Sequence, residues 1–129
     1  MKHRPAFLLC VVLAVSIALL ACGSNRSLQS VNISPATASS QAQFTAMGIY
    51  NASPTSANIT ATTTWCIGSS SGECDGNIPQ GASVSSGLAQ CLSGFSGTVT
   101  VLAGQPGMVT NPDQGFPLKP FGAAQFTCP

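Results

Sequence analysis

The sequence predicts an all-β protein, a sandwich of two antiparallel sheets made from about seven short strands. Three observations carry that expectation. Short runs rich in Val, Ile, Thr and aromatic residues alternate apolar with polar positions, clusters of Gly, Ser, Asn and Pro separate them, and no window of useful length repeats apolar residues at helical spacing. Charged residues make up only 5% of the chain, so the surface must be built mainly of hydroxyls and amides rather than ion pairs. With 4 basic and 3 acidic side chains there is no basic patch for nucleic acid.

The first element is a leader. Lys2, His3 and Arg4 precede an apolar run from Ala6 to Leu20 broken only by Ser16, the order of charge and hydrophobe that a secretory signal peptide uses. The run is about fifteen residues, short of the roughly twenty that a permanent membrane helix needs, and Gly23, Ser24 and Asn25 follow it instead of a basic cluster. Leu19-Leu20-Ala21-Cys22 resembles a bacterial lipobox, which implies a diacylglycerol thioether on Cys22 and cleavage in front of it. Leu20 is larger than the residue usual at its place. Gly23 resembles the signal for outer-membrane retention, so the expected location is the cell envelope, with the membrane as partner through lipid on Cys22. Without lipid, Ala21 would serve as the small residue at an ordinary cleavage site. Cysteine parity favours the lipid. Cys10 leaves with the leader, and Cys22, Cys66, Cys74, Cys91 and Cys128 are an odd set in an oxidising compartment. The chain divides accordingly into a signal peptide over 1–21, a lipidated polar tether over 22–27 and one domain over 28–129.

A domain of roughly a hundred residues has a small core and gains from staples. Leu28, Val31 and Ile33 sit among polar residues and Pro35 ends the run, as in a half-buried first strand. Gln41 to Tyr50 alternates, with Phe44 and Ala46 on one face and Thr45 and Met47 on the other, before turn residues Asn51, Ser53 and Pro54. Ile59 to Ile67, dominated by threonine and containing Trp65, predicts a third strand. Ala82 to Leu92 places Val84 and Leu88 around a Ser85-Ser86-Gly87 turn. Gly97 to Ala103 sets Val99, Val101 and Ala103 on one side, and 123–128 predicts the closing strand. Phe44, Trp65, Val99 and Val101 form the expected core.

Leu28-Gln-Ser-Val31-Asn-Ile33-Ser-Pro35, Gln43-Phe44-Thr45-Ala46, Asn58-Ile59-Thr60 leading to Trp65, Gly87-Leu88 and Gly97-Thr98-Val99-Thr100-Val101 resemble, in order and spacing, the group 2 bacterial immunoglobulin-like domain over 28–103. That resemblance implies an immunoglobulin-like β-sandwich with Trp65 in its interior and a role in adhesion or as a spacer. Two segments depart from the pattern: Cys66 to Pro79, with two cysteines, and Gly104 to Pro120, rich in Pro and Gly. Specific function is expected there, since rigid sandwiches carry binding residues on loops.

Four cysteines allow three pairings, of which Cys66 with Cys74 and Cys91 with Cys128 are favoured as local and long-range staples. A metal centre is not expected, because no C-x-x-C occurs and the only histidine, His3, lies in the leader. Nor is a cofactor. Cysteine catalysis lacks a histidine partner, Glu73 and Asp75 share one loop instead of flanking a scissile bond, and no Gly-x-Ser-x-Gly elbow is present. Asp75-Gly76-Asn77 beside Glu73 hints at calcium, although Asp-Gly-Asn is first of all a turn. The chain is therefore expected to be non-enzymatic. Its partner is expected to be an envelope protein, with a polysaccharide as the alternative if Met108, Phe116, Phe121 and Tyr50 mark an apolar contact surface; against that stands the folding back of Phe116 and Phe121 to cover a sandwich edge or the core.

Overall fold

The computed structural model describes residues 25–76, 81–107 and 115–129. The leader, Cys22, Asn77 and Met108 lie outside the described residues. No helix among the described residues is long and apolar enough to cross a membrane.

Eleven strands follow one another: β1 (Leu28–Ser34), β2 (Thr37–Ser39), β3 (Gln41–Gln43), β4 (Thr45–Tyr50), β5 (Ser56–Asn58), β6 (Thr64–Gly68), β7 (Glu73–Cys74), β8 (Ala82–Ser85), β9 (Leu88–Cys91), β10 (Gly97–Pro106) and β11 (Phe116–Cys128). They form an all-β sandwich. One layer joins β1-β4-β5 to β3-β9-β8, since β3 and β4 are a single run through Phe44, whose N–H donates to Gly87 O at 2.7 Å. The facing layer holds β6, β10 and β11 in antiparallel order, with β2 added in parallel along β11. Strands β1, β4, β9 and β8 thus face β6, β10 and β11, the arrangement of an immunoglobulin-like sandwich.

The strand count exceeds seven because single runs are broken. Pro35, which has no N–H to donate, ends β1, and the chain crosses to the other layer as β2. Ser40 then returns it at a φ of 66°. The threonine-rich stretch from Ile59 is not one strand. Residues Ile59 to Thr63 form a turn: Thr62 and Thr63 N–H donate to Ile59 O, and Asn58 Oδ1 accepts from Thr60 N–H at 3.0 Å. Short polar side chains offer the backbone such local partners, and here they outweigh the β-preference of threonine. The turn also ties three strands together. Thr60 Oγ1 accepts from Ala46 N–H, Thr60 O accepts from Trp65 Nε1–H at 2.8 Å, and Thr63 Oγ1 donates to Gly104 O.

The core between the layers has two parts. Phe44, Val101 and Phe126 are 0% exposed in the first, and the rings of Phe44 and Phe126 meet edge-on at 6.2 Å. Val31, Ala46, Ile59 and Ala103 make the second. Trp65 touches both parts but is only half-buried, as is Val99, because each lies near the end of its strand. Cys91 is bonded to Cys128, from β9 to β11, so a covalent link crosses the sandwich from layer to layer.

Cys66 is bonded to Cys74 across a separation of 8 residues, and Cys91 to Cys128 across 37. Loop-closure entropy assigns about 2.5 kcal/mol to the short link and about 4 kcal/mol to the long one. Urea unfolding of the paired serine variants is therefore expected to show the larger loss for Cys91→Ser with Cys128→Ser. A larger loss at the Cys66–Cys74 pair would contradict this ordering.

Candidate functional site

Alternation along β10 breaks at its centre, where Val101, Leu102, Ala103 and Gly104 are all buried. Val101 and Ala103 point into the sandwich, so Leu102 must leave through the outer face of the β6-β10-β11 layer. That face is covered. Leu102, Cys74 and Leu118 form a third buried cluster, with Cys66, Phe116 and Phe121 half-buried around it.

The cover is made by the two segments that depart from the immunoglobulin-like pattern. After β6 the chain turns at Ser69, whose O accepts from Gly72 N–H at 3.0 Å, and comes back as β7 beside Gly68. The Cys66–Cys74 bond fixes this return. The segment after Ala103, expected to be a loop up to Pro120, is instead strand at both ends: β10 runs on to Pro106, and β11 starts at Phe116 rather than near 123. Gly107 N–H donates to Pro117 O, and Leu118 N–H donates to Gly72 O at 2.8 Å. Phe116 and Pro117 lie opposite Cys74 and Glu73, so the two segments are hydrogen-bonded into one outer layer.

Glycine is required where they meet. The ring of Phe121 lies against Gly72, whose φ is +89°, and a Cβ there would enter the ring. At Gly115, φ +84°, a Cβ would strike the carbonyl oxygen of Cys74.

Between β7 and the start of β11 opens a cleft of about 410 Å³ lined by Ser69, Glu73, Asp75, Phe116 and Pro117. A second, of about 460 Å³, lies on the other side of Asp75 towards Phe95 and Thr98. Glu73 and Asp75 are exposed, and Ser69 Oγ and Ser71 Oγ are 2.6 Å apart. Among the described residues no three of His, Cys, Asp and Glu come together as a metal site.

Of the residues singled out in the sequence, Phe116 stands in the first cleft, while Phe121 folds back onto Gly72 as part of the cover. Tyr50 folds onto the sandwich near Leu28 and Ile59. Leu102 and Leu118 are not marked by the apolar–polar alternation, although the unbroken apolar run Val101-Leu102-Ala103 is the pattern of a strand covered on both faces. Comparison with protein-family models gives no match, and comparison with curated proteins gives none either. Two disulfides indicate an oxidising, exported environment.

Gly72→Ala is expected to loosen the outer layer by about 1–2 kcal/mol through its left-handed backbone alone. Amide exchange should quicken at Leu118, bonded to Gly72, while the Phe126 amide within the sandwich keeps its protection. Equal loss at both amides would mean that the outer layer and the sandwich open as one unit.

Proposed function

We propose that the chain is an exported, lipid-anchored, non-enzymatic module of the bacterial envelope, of the group 2 bacterial immunoglobulin-like type, which presents its outer layer to a partner. The observation that carries this reading is the outer layer itself. A sandwich closes its core with two layers, yet here two further segments are hydrogen-bonded together and stapled to build a cleft on an outer face. A rigid support for exposed side chains lowers the ordering cost of binding. The anchor rests on parity: pairing of Cys66 with Cys74 and Cys91 with Cys128 leaves Cys22 as the odd cysteine after the leader is removed. Outer-membrane retention rests on Gly23.

A second reading has its own observation. Phe116 shares the cleft with Glu73, Asp75 and Ser69, an apolar ring beside hydroxyl-binding oxygens, which is the combination a sugar unit requires. Glu73 and Asp75 come from one strand end rather than from opposite walls, so this reading assigns polysaccharide binding and not hydrolysis.

The protein extracted from membranes should have a mass that starts at Cys22 plus acyl chains, with its other four cysteines alkylated only after reduction. A chain that starts elsewhere and carries no lipid would overturn the anchor. A photo-crosslinker at Ser71 on the outer layer should capture an envelope component that one at Ser83, exposed on the opposite layer, does not. Equal yields would remove the outer layer as the contact face. On a glycan array, signal from the native domain that Phe116→Ala loses by about tenfold or more, an aromatic contact of about 1.5 kcal/mol, would select the polysaccharide reading.

A further inference from the structure

The segment from Asn25 to Ser27, read from the sequence as tether, is pinned to the sandwich. Ser27 N–H donates to Asn51 Oδ1 at 2.8 Å, Asn51 N–H donates to Ser27 O at 3.2 Å, and Asn51 Nδ2–H donates to Asn25 O at 3.3 Å. The Arg26 guanidinium lies 3.6 Å over the centre of the Tyr50 ring. A stacked guanidinium on an aromatic face is held in place by cation–π attraction, and three backbone anchors hold the chain on either side of it. Only Gly23 and Ser24 separate this fixed point from Cys22.

Length then decides orientation. Three chain steps reach at most about 11 Å, and crossing the headgroup layer of one leaflet uses about 5–8 Å of that. A domain whose Cys22 carries acyl chains cannot stand off from the bilayer. We propose that its N-terminal pole, comprising Arg26, Tyr50 and the turn from Asn51 to Thr55, is a membrane-contact surface that docks on the phosphate layer of the leaflet holding the lipid. The inference rests on the lipid-anchor reading above.

The chemistry of the pole suits that partner. Arg26 and Lys119 are the cations among the described residues, and Arg26 is at this pole beside an amphipathic ring of the kind that favours the interface. Arg26 Nε and Nη2 are withdrawn from water and have no acceptor among the described residues. Arg26 as a whole is only partly buried, and its permanent charge, unpaired within the described residues, draws a lipid phosphate to this pole. The opposite pole, with the Cys91–Cys128 bond and the 92–96 turn, lies the length of β10 away, about 30 Å. Docking therefore turns that pole outward and sets the outer layer sideways, along the membrane.

The test uses the acylated full-length protein in vesicles of phosphatidylethanolamine with phosphatidylglycerol. Ser53, in the turn after β4, and Ser93, in the turn after β9, are each exchanged for an azido-phenylalanine that carries a fluorophore, and lipids with spin-labelled headgroups quench it. Strong quenching at Ser53 with little at Ser93 is expected, and a twelve-residue Gly/Ser insertion after Ser24 should abolish the difference. Arg26→Gln should lower the ratio of docked to undocked domain about fivefold in these vesicles, and far less in phosphatidylcholine alone. Acylated protein with equal quenching at both positions, or with no response to the insertion, would overturn the docking and leave the anchor intact. Protein with no acyl chain on Cys22 would remove the anchor and the docking together, and intact mass separates the two failures.

Discussion

Val101 and Leu102 are neighbours in β10, so their side chains leave opposite faces of the layer, yet neither reaches water. The inner face is satisfied by the sandwich, against Phe44 and Phe126. The outer face has no such partner in a two-layer fold, and a bare leucine flanked by Cys66 and Phe121 would leave an apolar patch. Much of what distinguishes this chain answers that need. Leu118 and the Cys66–Cys74 return cover Leu102, and Gly72 and Gly115 let the covering backbones approach. The clefts on both sides of Asp75 exist because these covering segments stand above the sheet.

Charge scarcity shapes the same surface. With 5% charged residues, polar satisfaction falls to threonine, serine, asparagine and the backbone. The turn after Ile59 illustrates it: two hydroxyls and a carbonyl connect β4, β6 and β10, and an amide side chain fixes the turn itself, without one ionic contact. Neutral hydrogen bonds of this kind each contribute about 1 kcal/mol and are indifferent to ionic strength.

The sandwich was legible because its inner faces follow a period of two. Phe44 and Ala46 against Thr45 and Met47, and Val99 and Val101 against Thr98 and Thr100, place the buried side of two central strands from pattern alone. Where a second influence acts on the same residues, pattern misleads. Threonines from Thr60 to Thr63 have the composition of a strand but spend their hydrogen bonds on a turn. Pro106 and Pro117 read as breakers, although both belong to strands in the covering hairpin, where edges tolerate a missing N–H. The outer layer is a contact between segments that are 40 or more residues apart in places, as Leu118 with Gly72, and no local spacing encodes such a meeting. A hint was present in the apolar run around Leu102, and in glycines at places with no other reason to be glycine.

The Cys91–Cys128 bond also determines how the domain responds to force. Strand β2 lies parallel to β11, so tension between Cys22 and Cys128 loads that short ladder in shear, with its hydrogen bonds stressed together rather than one by one. Once it yields, the chain pays out only as far as the covalent link allows. The 37 chain steps from one cysteine to the other stay closed, which withholds roughly 130 Å of contour. Strands β10 and β11 would keep their connectivity under a pull that had already drawn out the first part of the chain, the β7 half of the outer layer with it.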